Sequence, residues 1–158
     1  MKITLKNIKH ADFASQETEC YSASLYVDGK KIGDVSNDGC GGCDMFRGDN
    51  EAYRAANEWC KANLPKWEMN GKQFETDIEM HCSNILSEWL TSKELKQLLN
   101  GKVLTLRDGF VYETKFRGVS KVTQAHIDHV RKGNPDATIL NEMPFEDALK
   151  AFIAATQS

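Results

Sequence analysis

The sequence predicts an α+β fold in which an antiparallel β meander and a second β hairpin pack with four to five helices. Three observations carry this reading. Short alternating runs crowd the first forty residues or so, and two Asp-Gly pairs, Asp28-Gly29 and Asp108-Gly109, each separate two strand-like runs. Between these hairpins the apolar period lengthens to three or four residues over a long stretch. Strand runs and helix runs are therefore segregated, which favours α+β over a doubly wound sheet. With 158 residues, 41% of them apolar and only 3 Pro, the chain has the material for one compact domain and argues against disorder. If there are two lobes, the polar stretch 66–73 or Asn100-Gly101 is the expected hinge.

Ile3, Leu5 and Ile8 alternate with Lys and Thr as a first strand, and 11–19 is polar enough for a surface connection. Residues 21–27 form a second strand, with Ser22 and Ser24 on its polar face, and 31–36 return antiparallel through Asp28-Gly29. Residues 37–50 hold four glycines and no apolar period, and read as a loop. A helix over 51–62 stops before Pro65, and 66–75 is a linker. Thr76 with Glu79 has capping-box spacing and opens a helix whose stripe is Ile78, Cys82, Ile85 and Trp89. Thr91 with Glu94 repeats the spacing, so 93–99 reads as a separate short helix stopped by Asn100-Gly101. Strands at 103–106 and 110–114, a helix at 123–132, a short strand at 137–140 and a helix at 144–155 complete the chain.

The net charge of −3 fits neither a basic nucleic-acid binder nor a strongly acidic mimic of nucleic acid, although local patches exist. No apolar run is long enough to span a bilayer and the opening residues alternate, so a cytoplasmic protein without membrane attachment is expected. Five cysteines, an odd number, favour reduced thiols.

The glycine loop is the chemically distinctive segment. Cys40-Gly41-Gly42-Cys43 has the spacing with which two thiolates bite one metal ion, and Cys20 and Cys60 are candidates to complete a zinc site, with Cys82 and His81 behind them. Lacking a second close cysteine pair, the motif is half a zinc site, and an ordinary glycine loop without a cofactor is the simpler expectation. Its residues do not lead straight into a helix, as a thioredoxin-like thiol pair would. His81 and Cys82 are sequence neighbours that a helix points about 100° apart, so they do not make a catalytic dyad. His126 and His129 share a helix face without the Glu of a zinc protease. No catalytic residue is assigned.

Two surfaces are candidates for binding. Asp34, Asp38, Asp44 and Asp49, with Met45, Phe46 and Arg47, give the loop an apolar and arginine anchor inside acidic charge, which suits a basic partner surface. Between 102 and 132, seven Lys or Arg stand against three acids; Lys102, Arg107, Lys115, Arg117 and Lys121, interleaved with Phe110, Tyr112 and Phe116, form an alternative nucleic-acid surface.

Residues 14–20, the run from Tyr26-Val27-Asp28-Gly29 to Ser36-Asn37-Asp38-Gly39, and Ile139-Leu140-Asn141-Glu142-Met143-Pro144 resemble small uncharacterised proteins of bacteriophages, prophages and their hosts. The resemblance covers about the first fifty residues and the last twenty-five. It implies a phage or mobile-element accessory protein that binds and blocks a host protein or nucleoprotein complex, for example a defence system such as CRISPR. The alternative from the residues alone is a small zinc-stabilised module associated with nucleic acid.

Overall fold

The computed structural model describes residues 1–156 and has the α+β architecture expected. The chain divides into two compact units between Ser87 and Glu88, inside a helix.

The first unit is built on an antiparallel sheet of order β1-β2-β3-β4, with β1 Ile3–His10, β2 Tyr21–Val27, β3 Lys30–Asn37 and β4 Met45–Gly48. Asp28 and Gly29 have φ of 48° and 81°, the left-handed pair that a tight hairpin between β2 and β3 requires. One face of the sheet carries Tyr21, Ala23, Leu25 and Val35 into the core; Ser22 and Asp34 point to solvent. Strand β4 lies within the stretch expected to be all loop. It holds its register on β3 through Val35 opposite Phe46 and Asp34 opposite Arg47, and four residues are too few to show an alternating pattern in sequence.

Helix α1, Asn50–Asn63, starts on Asp49, whose carboxylate accepts from the amides of Glu51 at 3.1 Å and Ala52 at 3.0 Å. It buries Ala56 and Cys60. The expected linker is a hairpin of β5 Trp67–Met69 and β6 Lys72–Phe74, joined by Asn70-Gly71 with positive φ at both positions and closed by stacking of Trp67 on Phe74 at 4.7 Å.

Helix α2 runs unbroken over Ile78–Gly101, so the separate helix expected at 93–99 is its last turns. Residues 91–94 contain neither Gly nor Pro to interrupt it. Its start also differs from the expected capping box. Asp77 accepts from the Met80 amide at 2.8 Å, while Thr76 Oγ1 donates to the Pro65 carbonyl at 2.6 Å. The buried stripe is Ile78, Cys82 and Leu86, at four-residue spacing; Ile85 and Trp89 are half-buried.

In the second unit, β7 Val103–Arg107 is the central strand of a sheet ordered β8-β7-β9, with β8 Phe110–Thr114 and β9 Thr138–Ile139. Period-two alternation sends Leu104 to one side, where Leu95, Leu140, Leu149 and Phe152 pack, and Val103 to the other, where Ile127 and Val130 pack. Helix α3, Gln124–Gly133, thus covers one face of the sheet and helix α4, Phe145–Thr156, the other. Asn141 ties this unit together: its amide donates to the carbonyls of Leu99 at 3.1 Å and Lys102 at 2.9 Å, and its oxygen accepts from the Leu104 amide at 2.8 Å. No helix among the described residues is long and apolar enough to cross a membrane.

Candidate functional site

Three amides of the segment before β2 fasten the glycine loop through one of its carbonyls. The amides of Gln16, Glu17 and Thr18 donate to the Gly39 oxygen at 2.9, 2.9 and 3.3 Å. Gly39 has φ +84°, and a Cβ there would lie 2.1 Å from the Ala14 oxygen and 2.9 Å from Cys20 Cβ, so both conformation and space demand glycine. Below it, buried Asn37 acts as a hub. Its oxygen accepts from Thr18 Oγ1 at 2.6 Å and from the Gly39 amide at 2.9 Å, and its amide donates to the Gly42 carbonyl at 3.2 Å and to Asp44 Oδ1 at 3.0 Å.

Asp44 links the Asn37 hub to Tyr21 and Glu79. Its Oδ2 accepts from the Tyr21 hydroxyl, and its backbone amide donates to Glu79 Oε1 at 2.9 Å. Burial, with the hydrogen bond to Asp44 next, pushes the Tyr21 phenol far above its usual range, so it stays protonated and donates at every physiological pH.

These contacts frame a cleft of about 400 Å³ in the first unit, lined by Glu17, Glu19, Asp44 and Glu79, by the hydroxyl-bearing Ser15, Thr18 and Tyr21, and by Leu86. No lysine or arginine lines it. Asp44 and Glu79 receive neutral donors, a phenol, a carboxamide and a peptide amide, which orient carboxylates without cancelling their charge. Glu19 lies 2.6 Å from His10 Nε2. The cleft is thus a negatively charged recess with hydroxyl donors and acceptors on its walls, a setting suited to an ammonium or guanidinium group.

Of the residues expected to bind a partner, only Asp44 lines the cleft. Asp38 and Asp49 are engaged locally, Asp38 accepting from the Cys40 amide at 3.0 Å and Asp49 capping α1. Asp34 is exposed and pairs with Lys31 at 2.8 Å; Lys31, then the Ser24 hydroxyl, holds its carboxyl below the usual range. Phe46 is half-buried, stacks on Tyr53 at 4.3 Å and covers Gly33, where a Cβ would lie 2.5 Å from its ring, so its ring is engaged in packing. Met45 and Arg47 are exposed on the edge strand β4. Glu17, Glu19, Glu79 and the hub Asn37 were absent from the expected set, because nothing local in 11–19 or in α2 reveals that it faces the glycine loop. The one signal for it is Gly39 itself, a glycine whose neighbour across space cannot be read from its own segment.

The cysteines of the zinc alternative are not gathered into one group. Cys40 and Cys43 are exposed, Cys20 is half-buried and Cys60 is fully buried on α1, and among the described residues no three His, Cys, Asp or Glu side chains are grouped to hold a metal ion. Burial also pushes the Cys82 thiol up to about 12 and His81 below its usual range, opposite to a thiolate–imidazolium pair. Of the basic residues, Lys102 pairs with Glu113, and Arg107 lies over the Tyr112 ring at 4.2 Å and donates to Asn134 at 2.9 Å. Lys115, Arg117 and Lys121 are exposed and have no carboxylate partner among the described residues. No family model, curated protein or solved structure matches the chain.

Proposed function

We propose that this is a non-enzymatic interaction protein that binds a host protein or nucleoprotein complex by taking a lysine or arginine side chain of the partner into the cleft beneath the glycine loop. The observation that carries the reading is that Glu17, Glu19, Asp44 and Glu79 all line one recess whose lining holds no lysine or arginine. The surroundings agree: residues 1–87 hold fourteen Asp or Glu against ten Lys or Arg, so the field around the cleft attracts a cationic segment. The likeness of residues 14–39 and 139–144 to phage and prophage accessory proteins, read from the sequence, supports a host factor as the partner and obstruction of a defence complex as the mode of action.

Calorimetric titration with a short oligo-arginine peptide tests the reading, with the citrulline version of the same peptide as the uncharged control. Binding that weakens as salt rises, is absent for the citrulline peptide and falls about tenfold in a Glu17→Gln/Glu19→Gln variant is the expected result. Both glutamates are exposed, so the variant keeps the fold. Equal binding of the two peptides, or an unchanged affinity in the variant, removes the cleft from the function.

A further inference from the structure

The second unit presents an arrangement unrelated to the cleft. Strand β8 is the edge of its sheet, and residues two apart on it project from the same side. Phe110 and Tyr112 occupy such positions, with 65% and 44% of their surfaces exposed, opposite Arg107 and Thr105 on β7. Arg107 is exposed as well, its guanidinium over the Tyr112 ring. Helix α3 covers this face at Val103 and Thr105, and toward the hairpin end the face carries two exposed aromatic rings and a planar cation. Immediately after the strand come Lys115, Arg117 and Lys121, exposed and without carboxylate partners among the described residues. Glu113 is held by Lys102, and Asp108 sits in the turn at the opposite end of the strand.

We propose that this face of the β7–β8 hairpin binds single-stranded nucleic acid, with bases against Phe110 and Tyr112 and the phosphate backbone along Lys115, Arg117 and Lys121. Two features favour this occupant over an acidic peptide. Flat rings and a stacked guanidinium offer π-surfaces, which every base can use and a carboxylate side chain cannot. The strand rise spaces the two residues about 7 Å apart along the backbone, roughly twice the ~3.4 Å repeat of a stacked strand, which leaves room for one unstacked base at each. A duplex keeps its bases paired and stacked and can use only the cations. The proposal is independent of the cleft, and its failure leaves the cleft reading standing.

Fluorescence anisotropy of the full chain decides it, using labelled oligothymidylate, a DNA duplex of equal length and labelled poly-glutamate as probes. Expected are saturable binding of oligothymidylate at low salt, clearly tighter than of the duplex or of poly-glutamate, and a loss of at least about fivefold on Phe110→Ala. Lys115→Ala and Arg117→Ala should each flatten the salt dependence by roughly one phosphate contact. The exposure of Phe110 means its variant should melt with the wild type, which circular dichroism verifies. Absence of saturable oligothymidylate binding overturns the proposal, as does poly-glutamate binding of equal strength or an affinity unchanged by Phe110→Ala.

Discussion

Tyr21 shows how much a single side chain holds in place here. Its hydroxyl fixes Asp44, and Asp44 joins the glycine loop to Glu79 of α2. Tyr21→Phe keeps the ring in the core and leaves an Asp44 oxygen without its donor, so a loss of about 1–3 kcal/mol in denaturant unfolding is expected, together with weaker binding in the cleft. Phe46→Ala is a matched comparison. The residue is half-buried, so its truncation should cost about 1–3 kcal/mol, below the ~3–5 kcal/mol of a fully buried phenylalanine, while oligo-arginine affinity stays within about twofold. A stable Phe46→Ala protein with lost binding would instead place this ring in the interface. Asn141 is the residue-scale feature least visible beforehand. It falls between the strand expected at 137–140 and the helix expected at 144–155, and only the folded chain shows it bridging the end of α2 to β7.

At the scale of elements, glycine separates turns that are merely strained from one that is closed. Gly29 has φ +81° with open space around its Cβ position, whereas Gly39 has φ +84° and the Ala14 oxygen in the way. Gly29→Ala should cost about 1 kcal/mol, and Gly39→Ala clearly more, with loss of the loop anchored by residues 16–18. Thermal unfolding of the two variants side by side checks the ranking. The β2–β3 and β7–β8 hairpins were legible because Asp-Gly dictates their turn geometry within two residues. The continuity of α2 was not, since Thr91 with Glu94 mimics a helix start that nothing before it makes necessary. Strand β4 and the β5–β6 hairpin escaped for a different reason. They are three or four residues long, and pairing with a neighbour supplies the order that their own patterns lack. The candidate site was legible only in part: Asp44 stood out within the acidic loop, but Glu17, Glu19 and Glu79 reach the cleft through tertiary packing that no local spacing encodes.

For the molecule as a whole, buried acids of high pKa set an alkaline limit. Burial first of all pushes Cys60 up to about 11 and Cys82 and Tyr53 to about 12, and Tyr21 moves in the same direction. In an unfolded chain these groups lose their protons near pH ~8.5 for Cys and ~10 for Tyr. Above those values the unfolded state binds fewer protons than the folded one, so stability is complete below about pH 8.5 and falls as pH climbs toward 12. The denaturation midpoint should drop steadily over this range, and a Cys60→Ala/Cys82→Ala protein should show a shallower decline. The central claim concerns where a cationic group docks, and heteronuclear NMR of the full chain during titration with the oligo-arginine peptide addresses it directly. Perturbations centred on the amides of Glu17, Thr18, Gly39, Gly42 and Asp44 are the expected outcome, since these line or fasten the cleft. Perturbations scattered over the exposed acids of both units, with those five amides unmoved, would contradict it.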